Sequence, residues 1–285
     1  MQAVPQSGRR PFQYRPGVFF AATFVATWVP WLVGAYLAND SGQRGAISPF
    51  GYVGLLGPLV VTLICILASG SRALKVDFGR RFDPRRLRPR YVALALAIPP
   101  VAMYLSIWLS LSLGQSADQF RPSRESSLIG LAIILAPLIE EISWRGYGVD
   151  SLRARMGALT STLLFAALWS LWHAPLVLLP GTYQHEVASM GEPLFLANFF
   201  VSAIPAAIIA NWLYYANGRS ILIGVLFHAV SNAAAELLSA GQVAKCIATA
   251  VWAVVAVVII VFDRTTFTGG PRSFIEEPPS IPLAT

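Results

Sequence analysis

The chain has 285 residues, of which 55% are hydrophobic and 12% charged, and its mean hydropathy is +0.60. A soluble domain carries roughly 25% charged residues, so this composition excludes water as the main solvent. The formal charge of +7 argues for no nucleic-acid partner, because the basic residues fall in short segments between apolar runs, where Lys and Arg set membrane orientation.

Arg9, Arg10 and Arg15 precede an apolar run over 17–38. That run outlasts the apolar region of a secretory signal, roughly 7–15 residues, so it reads as a first retained span behind an N-terminal tail, 1–16. Further runs occupy 50–69, 91–113, 128–144, 158–179, 194–216, 221–239 and 244–262. Each is near the length that crosses about 30 Å of hydrocarbon as a helix, the form that satisfies its own backbone polar groups. The expectation is an all-α polytopic membrane protein of about eight transmembrane helices. Helices 1–3 lie in 17–126, a core of helices 4–7 in 127–240, and the last helix in 241–262.

Between the second and third runs, segment 70–90 carries Arg72, Lys75, Arg80, Arg81, Arg85, Arg86, Arg88 and Arg90. It reads as a topology-setting loop, with attraction to anionic lipid as a second use. Asn217-Gly218-Arg219-Ser220 is a tight turn joining two spans. With the N-terminus in the cytoplasm, only Arg44, Arg121, Arg124 and Lys245 of the 21 basic residues fall outside, so both termini are expected inside. The segment 263–285, with Pro271, Pro278, Pro279 and Pro282, is expected to be disordered. Cys65 and Cys246 lie singly in apolar runs and give neither a disulfide framework nor a Cys-x-x-Cys site.

An ionisable side chain within a span costs about 2.5–3.5 kcal/mol on insertion scales, so each demands a reason. The candidates are Glu140 and Glu141, then His173, then His228. Adjacent helical residues point about 100° apart, so the two glutamates cannot share one role. The four-residue step from Glu141 to Arg145 allows an ion pair and leaves Glu140 for another partner. His228 and Asn232, also four apart, stack on one helical face. Pro137 and Pro175 should disturb helical hydrogen bonding nearby and admit a water. A carboxylate, imidazoles and an amide supply what amide hydrolysis needs: a base for water, donors for an oxyanion and an acid for the leaving amine.

In chain order these residues form Glu140-Glu141-x-x-x-Arg145, Trp169-x-x-x-His173 and His228-x-x-x-Asn232. The set resembles the CAAX protease and bacteriocin-processing family of intramembrane proteases, which includes the type II CAAX prenyl endopeptidases. Trp169 stands where that pattern has phenylalanine, and keeps an aromatic wall. The resemblance implies that Glu140 activates water, that His173 and His228 bind or orient it, and that Asn232 helps hold the oxyanion. Glu141 and Arg145 would support them.

Ligand type favours catalysis without a cofactor, since Asn is a poor zinc ligand and the His-Glu-x-x-His helix is missing. The alternative is a divalent metal, zinc by preference, held by Glu140, His173, His228 and Asn232. The expected protein is an intramembrane endopeptidase of a prokaryotic plasma membrane, acting on prenylated, bacteriocin-like or membrane-anchored peptides and proteins within the lipid bilayer. A proton- or ion-coupled transporter and a non-catalytic immunity or scaffold protein are the alternatives. One geometric conflict stands. With spans drawn as above, Glu140 lies roughly 7–12 Å and His228 roughly 10 Å from the cytoplasmic surface, and His173 about 22 Å. The gap closes if the fifth helix enters later or tilts, with 146–157 as an interfacial stretch.

Overall fold

The computed structural model describes residues 10–41, 49–123 and 128–277. The remaining residues, including Arg9, Arg44, Arg124 and the end of the expected C-terminal tail from 278, lie outside the described residues. The helices are α1 (Pro16–Ser41), α2 (Pro49–Leu67), α3 (Arg72–Arg80), α4 (Pro89–Leu111), α5 (Leu128–Ser143), α6 (Val149–Arg153), α7 (Ala158–Trp172), α8 (Tyr183–Ser189), α9 (Pro193–Ala216), α10 (Ile221–Glu236), α11 (Gln242–Phe262) and α12 (Arg264–Phe267). Proline opens α1, α2, α4 and α9, where its missing N–H costs nothing and its fixed φ suits the helix. Among the described residues, six helical stretches are long and apolar enough to span a membrane, those of α1, α2, α4, α7, α9 and α11. The other two predicted spans are α5 and α10, of 16 residues each. The protein is thus an all-α polytopic membrane protein, with α5 packed between α2 and α10, and α9 between α7 and α11.

Three expectations change. First, α5 does not end near residue 144. A π-helical turn over Trp144–Gly148 and then α6 carry the helix on to Arg153. Hydropathy missed this because Arg145, Gly146, Gly148 and Asp150 break the apolar run. The glycines are seats for neighbours: a Cβ on Gly146 would fall 2.9 Å from the Phe78 ring, and one on Gly148 2.9 Å from the Phe19 ring. Counted from Arg153, Glu140 lies roughly 20 Å along its helix, close to the roughly 22 Å that separates His173 from Ala158. A longer helix thus brings the count for Glu140 into line with that for His173, while α7 starts at Ala158 as drawn.

Second, Val149–Arg153 is buried and does not lie along an interface. Third, the segment 263–277 is not disordered. After α12, Arg272 N–H donates to Arg153 O (2.9 Å), Phe274 stacks on Tyr215 and Ile275 is buried. Glu276–Glu277 then pairs antiparallel with Arg10–Pro11. These backbone bonds and two anchoring side chains order a proline-containing stretch that composition alone assigns to disorder.

Candidate active site

Glu141 is committed on both sides. Arg145 Nη1 donates to its Oε1 (2.7 Å), one helical turn along, as the four-residue spacing requires. Arg145 is itself fully buried. It lies 5.3 Å above the Phe165 ring, and its Nη2 donates to Asn211 Oδ1 (3.2 Å), whose Nδ2 donates to Thr162 Oγ1 (3.1 Å). Opposite, His228 Nδ1 stands 3.0 Å from Glu141 Oε1. A carboxylate can only accept, so Nδ1 carries the proton and Nε2 is left available. Gly224, one turn before His228, makes this approach possible: a Cβ there would come within 2.5 Å of Glu141 Oε2.

Glu140 faces another way. Its Oε2 accepts from the Trp169 indole Nε1–H at 2.9 Å and from the Trp144 Nε1–H at 3.3 Å. The Trp169 ring also meets both imidazoles, with centroids 5.8 Å from His173 and 5.6 Å from His228. Glu140, His173 and His228, from three helices, thus border one indole, with no aliphatic layer needed to bridge them. His173 follows the last residue of α7, where Pro175 turns the chain into a 3-10 helix over Ala174–Leu178. Its Nδ1 donates to Trp169 O (2.8 Å), because a carbonyl offers no proton, and again Nε2 remains available. Trp172 and Phe199 pack on its ring at 4.7 and 5.4 Å. Asn232 lies one turn beyond His228 on α10, half-buried.

Sequence reading placed the Glu141–Arg145 pair. It did not anticipate that His228 bonds to Glu141, that Trp144 and Trp169 donate to Glu140, or that Asn211 backs Arg145. A polar amide in the apolar run of α9, which also holds Asn198, was the available signal for Asn211. Among the described residues, no three His, Cys, Asp or Glu side chains converge as a metal-ligand set. The histidines present Nε2 atoms that a metal could use, and with Glu140 they make the two-histidine, one-carboxylate ligand type of a catalytic zinc site, with Asn232 as a weaker donor.

About nine residues along both α10 and the α5–α6 helix, roughly 13 Å from Glu141, a second polar layer is buried. Arg81 Nη1 donates to the carbonyls of Arg145 (2.7 Å) and Gly146 (3.0 Å) and lies 3.0 Å from Asp150 Oδ2. Arg219, at φ +66 in the turn before α10, pairs with Asp150 and with Asp77 of α3 (2.9 Å). Burial raises the Asp77 carboxyl, but the Arg81 and Arg219 guanidiniums outweigh it and hold the group below the usual carboxylate range.

The comparisons with known proteins converge on the same region. The type II CAAX prenyl endopeptidase Rce1-like family model matches residues 122–234, which contain Glu140, His173, His228 and Asn232. The CAAX prenyl protease 2 of Methanococcus maripaludis is 35% identical over 263 residues, covering 90% of this chain and 97% of that protein. With that coverage, the chain belongs to the Rce1-like family of type II CAAX prenyl endopeptidases and is a membrane-embedded endopeptidase of that type.

Proposed function

We propose that the endopeptidase uses Glu140 as its general base, with His173, His228 and Asn232 as its polar partners. The observation that carries this reading is the division of labour between two adjacent carboxylates. Glu141 is paired with the Arg145 guanidinium and with His228 and its other oxygen is enclosed, whereas Glu140 accepts on Oε2 from two indoles alone, with no cation at hydrogen-bond distance and no hydrogen bond to Oε1 among the described residues. Oε1 takes a proton from water, and the resulting hydroxide attacks the scissile carbonyl carbon. His173 and His228 orient that water through Nε2, Asn232 donates to the oxyanion, and the proton passes to the leaving amine. Glu141 and Arg145 hold His228 in place.

The substrate in this reading is a membrane-associated peptide or protein with a prenylated CAAX-type C-terminus, the chemistry named for the Methanococcus maripaludis relative. The protein resides in a prokaryotic plasma membrane with both termini in the cytoplasm. Two features support this orientation: the charge pattern puts most basic segments on one side, and Arg10–Pro11 pairs with Glu276–Glu277, which keeps these two segments on one face. Catalysis requires no metal. The test uses purified protein in detergent with a farnesylated peptide ending in a CAAX-type tetrapeptide. Wild type should cleave it before and after chelation. Glu140→Gln and His173→Ala should each lose about 1,000-fold in kcat while remaining folded. Cleavage by Glu140→Gln at the wild-type rate would overturn the base assignment, and loss on chelation restored by zinc would overturn the metal-free mechanism.

A further inference from the structure

Trp169 does more than wall the site. The residue combines three relationships, two through its indole and one through its backbone carbonyl. The Nε1–H reaches Glu140 Oε2 at 2.9 Å, the carbonyl accepts from His173 Nδ1 at 2.8 Å, and the ring lies edge-on to His228 with centroids 5.6 Å apart. The ring is itself seated by stacking on Phe165, at 6.0 Å and an interplanar angle of 9°. Trp144 brings a second indole N–H to the same Glu140 oxygen at 3.3 Å, from a fully enclosed position among Phe20, Phe165 and Trp172.

We propose that Trp169, aided by Trp144, is a positioning residue that occupies Glu140 Oε2 and so makes Oε1 the atom that takes the proton from water. The inference rests on Glu140 being the base. An indole N–H donates and cannot accept, so it stabilises a carboxylate oxygen that carries no proton. With both donors on Oε2, an incoming proton finds its place on Oε1. In the step itself, one O–H bond of water breaks, its proton bonds to Oε1, and the hydroxide oxygen forms the bond to the scissile carbon. Oε2 keeps its indole partners throughout, so the carboxylate does not rotate between proton uptake and delivery to the leaving amine. The two bonds are unequal: 2.9 Å is an ordinary N–H···O distance, and 3.3 Å is beyond it. Trp169 therefore carries the larger share.

The test is steady-state kinetics of purified full-length Trp169→Phe with the farnesylated peptide. Phenylalanine retains an aromatic ring and deletes the N–H donor. The expected result is a fall in kcat of about tenfold or more, the value of one hydrogen bond to a charged acceptor, with KM within about twofold. Trp144→Phe should fall by less than Trp169→Phe. A Trp169→Phe enzyme with unchanged kcat overturns the inference while leaving Glu140 as base, provided Glu140→Gln is inactive. A rise in KM alone overturns it in favour of a substrate-contacting wall. Full activity in Glu140→Gln overturns both this inference and the reading beneath it.

Discussion

Two neighbouring glutamates differ in what their removal exposes. Replacing Glu141 leaves Arg145, which is fully buried, without its carboxylate, and leaves His228 Nδ1 without a charged acceptor. Breaking one side of a buried pair costs about 3–5 kcal/mol, because the surviving charge remains out of water. Among the described residues Glu140 has no cationic partner at hydrogen-bond distance, and Gln at that position can still accept from both indoles through its carbonyl oxygen. Glu141→Ala should therefore unfold at markedly lower temperature than wild type, while Glu140→Gln should unfold near it. Thermal unfolding in detergent measures the difference; equal midpoints for the two variants would contradict the assignment. The pairing of Glu141 with Arg145 was legible in the sequence because four residues close one helical turn. The pairing of Glu141 with His228 was not, because it joins positions 87 residues apart and depends on Gly224 allowing α10 to approach α5.

At the scale of elements, α3 shows why a basic segment can be more than a topology signal. Ser71 caps it, accepting from Leu74 N–H (3.0 Å), and Leu74 is fully buried. Its far end delivers Asp77 and Arg81 into the layer that grips the π-helical turn and the turn before α10. Helix boundaries in apolar runs were readable from hydropathy, as α1, α2, α4, α9 and α11 show. The continuation of α5 was hidden because it is stabilised by tertiary partners, the Arg81 guanidinium and the rings of Phe19 and Phe78, and not by local apolarity. Asp77 makes this layer sensitive to acid. A carboxyl depressed in the folded state stabilises it fully above its unfolded value of about 3.9, and that contribution disappears as pH falls through the lower folded value. Asp77→Asn lacks it at every pH. Its stability should be lower than wild type at pH 7 and should fall less steeply below about pH 4, as read from unfolding midpoints across pH. Parallel slopes in the two proteins would show that Asp77 contributes no such linkage.

Across the whole molecule, the C-terminal segment closes the end of the bundle that carries the buried ionic layer. Gly269 O accepts from Ala158 N–H (3.1 Å), Gly270 O accepts from Arg153, and the Arg219 guanidinium lies 4.3 Å from the Phe274 ring centroid. These contacts fasten the start of α7 and the turn before α10, the two helices that carry His173 and His228. Truncation after Thr268 should lower the unfolding midpoint by about 5 °C or more yet leave peptide cleavage measurable at low temperature, since no residue of the candidate site is removed. An unchanged midpoint would mean that the segment rests on the bundle without supporting it. The all-α membrane architecture and the three polar motifs were evident in the chain itself. The ordered tail was not, because its order comes from backbone bonds to distant segments that composition cannot reveal. The most direct trial of the account is an experimental structure of the protein in lipid at a resolution that shows ordered solvent. The account predicts one water within hydrogen-bonding distance of both Glu140 Oε1 and an imidazole Nε2 of His173 or His228. Side-chain atoms filling that space, with no water in contact with Glu140, would contradict it.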